Sequence, residues 1–342
     1  MGIGPNVMEG LIREGQYRPF SGTAYTFGRP TMSLSPMNTN LLFRELGFEP
    51  IGGLADRGAI DTITTYSPEL KSPPIRDVEF FRMLGFSETK AIDVNGFEGA
   101  EILLDLNNDI PSELAGTSDL VVDGSTLDNV FDPVTALRNA ARLLKPDGRL
   151  CLSNQGNYSV DFTGIPYLIA TPIWFYDFFV INRFVDCQVY VTIWDESRST
   201  FALNHDHAAR RWDPGLIKPI LSEFHVQITV FAERGQDSSW DKVPTQHVYR
   251  EPNEWETYES VVRSIAGRDR TPHLRSLRTQ TAAIVAEPTD SKVRWIGSRP
   301  ERAATSIIPS GWYHILPNWS IRNPETDRIV RHGQEKQTDC VT

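Results

Sequence analysis

Between Ala91 and Leu152 short apolar runs alternate with polar, turn-forming stretches, the pattern of an α/β domain built on a mostly parallel sheet. Ala91–Val94 and Ala100–Leu106 predict strands that stop at an acidic residue. Leu120–Val122 predicts a third that closes on Asp123 and Gly124, and Arg149–Leu152 a buried strand after a glycine turn. Between Asp132 and Lys145, Val134, Leu137, Ala141 and Leu144 recur at helical spacing, with Asp132 placed to cap and Pro133 at the first helical position. Upstream, Gly22–Phe27 reads as a strand, Met37–Leu46 as a helix, Phe48–Pro74 as a loop or lid rich in Gly, Pro, Thr and Ser, and Val78–Leu84 as a short helix. Downstream, β-branched and aromatic residues make Asp186–Trp194 and Val226–Phe231 strands. Glu254–Glu287 has a helical rhythm, and the last fifty or so residues read as an irregular arm.

Composition narrows the class. The 342 residues are 40% hydrophobic and 23% charged, which is ordinary for a globular protein and excludes collagen-like or wholly disordered chains. Three cysteines without a Cys-x-x-Cys spacing do not make a disulfide framework, so a reducing, cytoplasmic setting is expected. The N-terminus lacks the charged-then-apolar order of a secretory signal. The most apolar stretch, 164–185, is interrupted by Pro166, Pro172, Asp177 and Arg183, so no membrane partner is expected. A net charge of −10 and the lack of a useful basic patch argue against a nucleic-acid partner.

Candidate chemistry sits at strand ends. In open α/β sheets ligands lie beyond the carboxyl ends of the strands, and three successive predicted strands end in acids: Asp93, Asp105 and Asp123. A carboxylate there accepts hydrogen bonds from ribose hydroxyls, and one beside the next loop approaches an adenine amino group. Any one of them alone is as readily a solvated turn residue or helix cap; three in order give a nucleoside-binding layout.

The segments AIDVNGFEGAEILLDLNNDIPSEL and SDLVVDGSTLDNVFDPVTALRNAARLLKPDGRL resemble the class I S-adenosylmethionine-dependent methyltransferases, most specifically over Asp119–Leu150. The resemblance spans roughly Gly22–Arg234. It implies a Rossmann-like methyltransferase sandwich, a mostly parallel seven-stranded sheet with helices on both faces, plus a C-terminal extension. The division it suggests is an N-terminal segment (1–20), a methyltransferase-like domain (21–235) with an insertion near 48–74, and a helical and irregular extension (236–342). It also implies S-adenosylmethionine as cofactor and methyl transfer to a small-molecule acceptor, such as a glycan or natural-product intermediate. By resemblance Asp93 with Val94 holds the ribose side, Asp105 and Leu106 border the adenine, and Asp123 with Gly124 lines the methionine end.

One departure stands out. The glycine-rich G-x-G-x-G loop usual after the first strand, whose missing side chains let backbone approach a cofactor, has no counterpart here. The positional substitute is the turn at Gly28 and Arg29, with Arg29 expected to touch the methionine carboxylate through its charge. The same departure leaves open a methyltransferase-like fold that does not transfer methyl and serves as a binding or assembly subunit, or as a biosynthetic cyclase or isomerase. A nicotinamide dehydrogenase suffers more from the missing glycines, because a pyrophosphate depends on them and S-adenosylmethionine carries no phosphate.

For a hydroxyl acceptor a base is needed, and His205, His207 and His225 are the candidates, with His205 and His207 preferred. Their His-x-His spacing is too little for a metal site, and none is expected. The aromatic segment Tyr167–Phe184 reads as a core helix before it reads as an acceptor cap. The tail tryptophans Trp295, Trp312 and Trp319 would dock the arm on its own domain or on a second subunit, so a homo-oligomer stays open.

Overall fold

The computed structural model describes residues 2–56, 58, 60, 73–155, 166–194, 200–204, 225–246, 249–266, 312–316, 320–323 and 328–331. In chain order the elements are β1 (Gly2–Ile3), α1 (Pro5–Tyr17), β2 (Thr23–Phe27), β3 (Thr31–Met32), α2 (Pro36–Glu45), α3 (Asp77–Leu84), β4 (Glu88–Asp93) and β5 (Ile102–Leu103). There follow β6 (Ser118–Gly124), α4 (Pro133–Leu143), β7 (Leu144–Gln155), α5 (Pro172–Ile181), β8 (Asp186–Trp194), β9 (Thr200–Asn204), β10 (His225–Glu233), α6 (Pro252–Ala266), β11 (Trp312–Leu316), β12 (Ser320–Asn323) and β13 (Arg328–Arg331).

The main sheet runs β5-β4-β2-β6-β7-β10-β8, with β9 and β11 added antiparallel beyond β8. Its first five strands are mutually parallel, and β10 is antiparallel to both of its neighbours. This is the expected mostly parallel seven-stranded sheet, widened at one edge. Successive side chains point to opposite faces, and each face has its own core. Ala24, Leu120, Val122 and Cys151 face Met8, Leu11, Phe43, Phe80 and Phe81 of α1, α2 and α3. Tyr25, Phe27, Val121, Leu150 and Leu152 face Leu137, Ala141, Phe175, Phe179 and Tyr258 of α4, α5 and α6. Covered on both sides, the middle of β6 is a consecutive apolar run, Leu120–Val122, rather than an alternating one.

Most predicted elements are present. Asp132 caps α4 by accepting the Thr135 N–H at 3.1 Å. The aromatic segment is the core helix α5, with Phe175, Tyr176, Phe178 and Phe179 buried. Ala100–Leu106 is corrected: only Ile102 and Leu103 pair with β4. The reason is local, since the Ala91 N–H is taken at 2.7 Å by the Glu101 carboxylate instead of by a neighbouring strand. Of the Phe48–Pro74 loop, 57, 59 and 61–72 lie outside the described residues, as does the helical rhythm beyond 266.

The helix α1 went unrecognised in the sequence because Gly10 and Gly15 interrupt it, each costing about 1 kcal/mol against alanine. Both are close approaches: a Cβ on Gly10 would lie 2.7 Å from the Phe231 ring, and one on Gly15 would lie 3.3 Å from Phe20. Arg149 seals the end of α1 by donating to the Glu14 and Arg18 carbonyls at 2.7 Å each while stacking 3.6 Å over the Phe20 ring. On the other face, buried Asp177 of α5 accepts the Tyr258 hydroxyl at 2.6 Å and forms an ion pair with Arg250 at 2.6 Å, which fastens α6 and the residue leading into it to α5. Burial, then Asp177, pushes the Tyr258 phenol up, so it remains a donor. Among the described residues no helix is long and apolar enough to cross a membrane.

Glu9 of α1 is fully buried, and burial pushes its pKa up to about 7 against the opposing pull of Arg13, whose Nε donates to it at 2.7 Å. A raised carboxyl pKa means the folded chain binds the proton more tightly than the unfolded one. The contribution is therefore complete below the ordinary value of 4.5 and is lost as pH rises through 7. Glu9→Gln, which keeps an acceptor for Arg13, should exceed the native protein in stability at about pH 8 by on the order of 2 kcal/mol, with the gap closing towards about pH 4. Thermal melts across that range measure it. A gap that ignores pH would mean that Glu9 stays ionised throughout.

Candidate functional site

The chain leaves β2 towards β4 and β5 on one side, whereas β6 leads to β7 on the other. The strand order reverses between β2 and β6, and in open α/β sheets the carboxyl ends of the strands at such a reversal are where ligands bind. Register brings the tips together: Phe27 lies beside both Ile92 and Asp123, Asp93 beside Leu103, and Gly124 beside Ser153.

Gly28 turns the chain out of β2 with φ +69°, where a side chain would be strained, and its N–H donates to the Ile92 carbonyl at 2.7 Å. Arg29 then points toward the β4–β5 side. Its guanidinium reaches Asp77 at 3.0 Å, Glu101 at 2.6 Å and the Gly99 carbonyl at 2.6 Å. Burial works against the cation, but the two carboxylates outweigh it and raise the Arg29 pKa. Burial likewise opposes the Glu101 charge, and the Ala91 N–H and Arg29 more than offset it, so the Glu101 pKa is lowered. The charge expected to reach a ligand carboxylate is thus balanced within the chain.

Asp93 is half-buried at the tip of β4. Its Oδ1 accepts the Asn95 N–H at 3.2 Å, and its Oδ2 has no partner among the described residues. Val94, next to it, is 66% exposed. Asp105 lies past the short β5, where its carboxylate accepts the Asn107 N–H and the side-chain amides of Asn107 and Asn108 between 2.7 and 3.0 Å. The two bonds from Asn107 lower its pKa. Leu106 is buried in the core beneath.

Asp123 is fully buried. Its Oδ1 accepts the N–H groups of Thr126 and Leu127 at 2.6 and 3.2 Å, and its Oδ2 accepts Asn154 Nδ2 at 2.8 Å. Burial first, then the neighbouring Asp128 charge, pushes its pKa up to about 7 despite these bonds. Gly124 carries the backbone of the N-terminal strand on top of it, since an added Cβ would lie 3.2 Å from the Gly2 carbonyl. Thr126 closes the wall by donating its hydroxyl to the Phe27 carbonyl at 2.6 Å.

The structure therefore gathers Gly28, Asp93, Val94, Asp105, Asp123 and Gly124 along one edge of the sheet. His205 and His207 lie outside the described residues, and His225 opens β10. Among the described residues no group of three His, Cys, Asp or Glu side chains is placed to hold a metal.

Two residues that hold this edge were not singled out from the sequence. Asn139 of α4 is buried and makes three bonds to the segment after Asp105: Oδ1 accepts the Ile110 N–H at 3.1 Å, and Nδ2 donates to the Leu106 and Asn108 carbonyls at 3.3 and 2.8 Å. Its signal was legible: an asparagine on the same helical face as Ala136, Ala140 and Leu143 needs a polar partner in the core. Asn154, at the end of a strand read as simply apolar, gave none. Phe131 and Tyr167, 82% and 74% exposed, meet edge to face at 5.9 Å beside the loop after β6.

No protein-family model matches the chain, and no curated protein matches it. Solved structures do. A Methanococcus maripaludis protein described as an S-adenosyl-L-methionine-dependent methyltransferase matches with 16% identity over 44% of this chain, at a TM-score of 0.24. The chain spans 57% of that protein's length. The Burkholderia thailandensis 1,6-didemethyltoxoflavin-N1-methyltransferase, solved with bound 1,6-didemethyltoxoflavin and S-adenosylhomocysteine, matches with 12% identity over 68% of this chain and 79% of its own, at a TM-score of 0.25. The Haemonchus contortus phosphoethanolamine N-methyltransferase 2, in complex with S-adenosyl-L-methionine, matches with 11% identity over 67% of this chain and 52% of its own, at 0.33. At these scores the likeness adds nothing to what the strand order establishes.

Asn139→Ala would leave the Ile110 N–H and two carbonyls without their partner in a buried setting. It should cost about 1–3 kcal/mol in denaturant unfolding, with hydrogen exchange accelerated first in residues 105–110. Equal acceleration across the whole domain would contradict the assigned role.

Proposed function

We propose that this protein binds S-adenosylmethionine across the tips of β4, β5 and β6 and transfers its methyl group to a small-molecule acceptor. One observation carries the reading: carboxylates end or closely follow three strands around the reversal of strand order, and the open oxygen of Asp93 stands next to exposed Val94. An unpartnered carboxylate oxygen suits vicinal hydroxyls, and apolar surface beside it suits the edge and face of a purine. A dinucleotide suits the edge less, because the turn after β2 presents a neutralised arginine where a pyrophosphate needs glycine-lined N–H groups.

When bound, S-adenosylmethionine supplies an electrophilic methyl group on a sulfonium. The chain's own residues would align the acceptor in line with that methyl, exclude water and hold a proton. In this reading Asp93 and Val94 hold the ribose and Asp105 with Leu106 borders the base. Asp123 and Gly124 line the methionine end, and His205 and His207 are the bases for a hydroxyl acceptor. A glycan or natural-product intermediate is the proposed acceptor class. The reading without methyl transfer is favoured by one feature, the Gly2 backbone lying across Gly124.

S-adenosylhomocysteine should bind saturably in isothermal titration, and Asp93→Ala should weaken it by about 1 kcal/mol or more, roughly fivefold. No binding at millimolar ligand would remove the proposal, and binding without label transfer from methyl-labelled donor to any acceptor would favour the reading without transfer. Asp123 offers a second check, because its pKa of about 7 means that a buried negative charge develops behind the strand tips as pH rises through that value. The sulfonium of S-adenosylmethionine is attracted by that charge and the thioether of S-adenosylhomocysteine is not. The affinity of the first relative to the second should climb as pH rises through 7, and Asp123→Asn should flatten the climb.

A further inference from the structure

Around the crevice, one side chain ties together segments that no backbone pairing joins. Arg29 leaves the turn after β2 and is largely buried, with 14% of its side chain exposed. Its Nη1 donates to Asp77, the first residue of α3, at 3.0 Å. Its Nη2 donates to the Gly99 carbonyl and to Glu101 Oε1, both at 2.6 Å, in the loop between β4 and β5. Glu101 passes the restraint on, because its Oε2 accepts the Ala91 N–H at 2.7 Å, two residues before Asp93. The loop so closed carries Asp93, Val94 and Phe97. Its return at Gly99 has φ +75°.

We infer that Arg29 is a positioning residue: its guanidinium clamps the β4–β5 loop to the turn after β2 and so fixes the tip of β4 that carries Asp93. The inference rests on the cofactor reading above for its functional consequence, but the clamp itself is a property of the ligand-free chain. A planar guanidinium can hold Asp77, Glu101 and the Gly99 carbonyl at once, whereas an ammonium is a single point charge. Breaking the clamp takes the guanidinium away from Asp77, whose side chain is 4% exposed, and releases the Gly99 carbonyl and Glu101, so the loop loses its tie to the turn after β2. Asp93 and Val94 then lose their place relative to Phe27 and Asp123.

The test uses the full chain. In Arg29→Ala, backbone hydrogen exchange of residues 94–101 without ligand should accelerate at least about tenfold, and the S-adenosylhomocysteine Kd should rise at least about tenfold. Arg29→Lys should recover only part of both. If Arg29→Ala does not fold, Glu101→Gln, which keeps Arg29 paired with Asp77, should give the same two effects at smaller size. Lys145→Ala serves as control. It breaks the 2.7 Å ion pair with Asp119 near the start of β6 and should lower the melting temperature while leaving exchange at 94–101 and the Kd unchanged. Unchanged exchange at 94–101 in both Arg29→Ala and Glu101→Gln overturns the clamp. Accelerated exchange with an unchanged Kd overturns its role towards the cofactor. If the native protein binds no S-adenosylhomocysteine, the cofactor reading fails and the functional half of the inference with it, while the exchange data still decide the clamp.

Discussion

The reversal of strand order between β2 and β6 governs the rest of the molecule. Two parallel neighbours whose chains depart in opposite directions leave a gap that no crossover can cover, and every loop bordering it has backbone groups without a strand to pair with. Those groups must find partners that do not fill the gap. Here side chains supply them. Thr126 takes the Phe27 carbonyl, Asp123 takes two N–H groups of its own loop, Glu101 takes that of Ala91, and Asn139 takes Ile110 and two carbonyls from below.

Side-chain bracing brings charge into places where a backbone cradle would bring none. An arginine largely withdrawn from water is tolerable at Arg29 only because two carboxylates approach it within 3.0 Å. Asp123 has three hydrogen bonds and no cation within salt-bridge distance among the described residues, and its pKa climbs to about 7. The same physics acts on Glu9 at the far side of the sheet, where a single arginine fails to offset complete burial. Both carboxyls therefore hold a proton to higher pH than an exposed acid does.

Where local pattern and tertiary environment agreed, the sequence was easily read. The strands around Ala91, Leu120 and Cys151, the α4 helix with its Asp132 cap, and β8 were all legible, because burial on both faces writes unbroken apolar runs and a capped helix writes a 3.6-residue rhythm. The misses share a cause. Gly10 and Gly15 look like helix breakers until Phe231 and Phe20 are seen to need the space. The strand after Ala100 looks long until Glu101 is seen to serve the neighbouring strand and Arg29. Arg29 itself, read as a ligand contact, has partners 48 and 72 residues away in sequence. No local window contains them.

The three acids that first suggested a nucleoside site are, in the folded chain, three different kinds of group. The Asp105 carboxylate is occupied by Asn107 and Asn108, so it shapes its loop, and a base placed beside it would meet the loop as much as the charge. Asp123 is sealed beneath Thr126, Leu127 and Asn154, so it can act on a ligand through its field, which switches near neutral pH, without touching it. Asp93 alone is half-exposed with an open oxygen. Their places near strand ends had made them look interchangeable; hydrogen bonding separates Asp93 from Asp105, and burial separates Asp123 from both. In the proposed reading, direct recognition of a hydroxyl pair would fall to Asp93, the carboxylate at the tip of β4, and the loop that follows it, held by Arg29, would set its position.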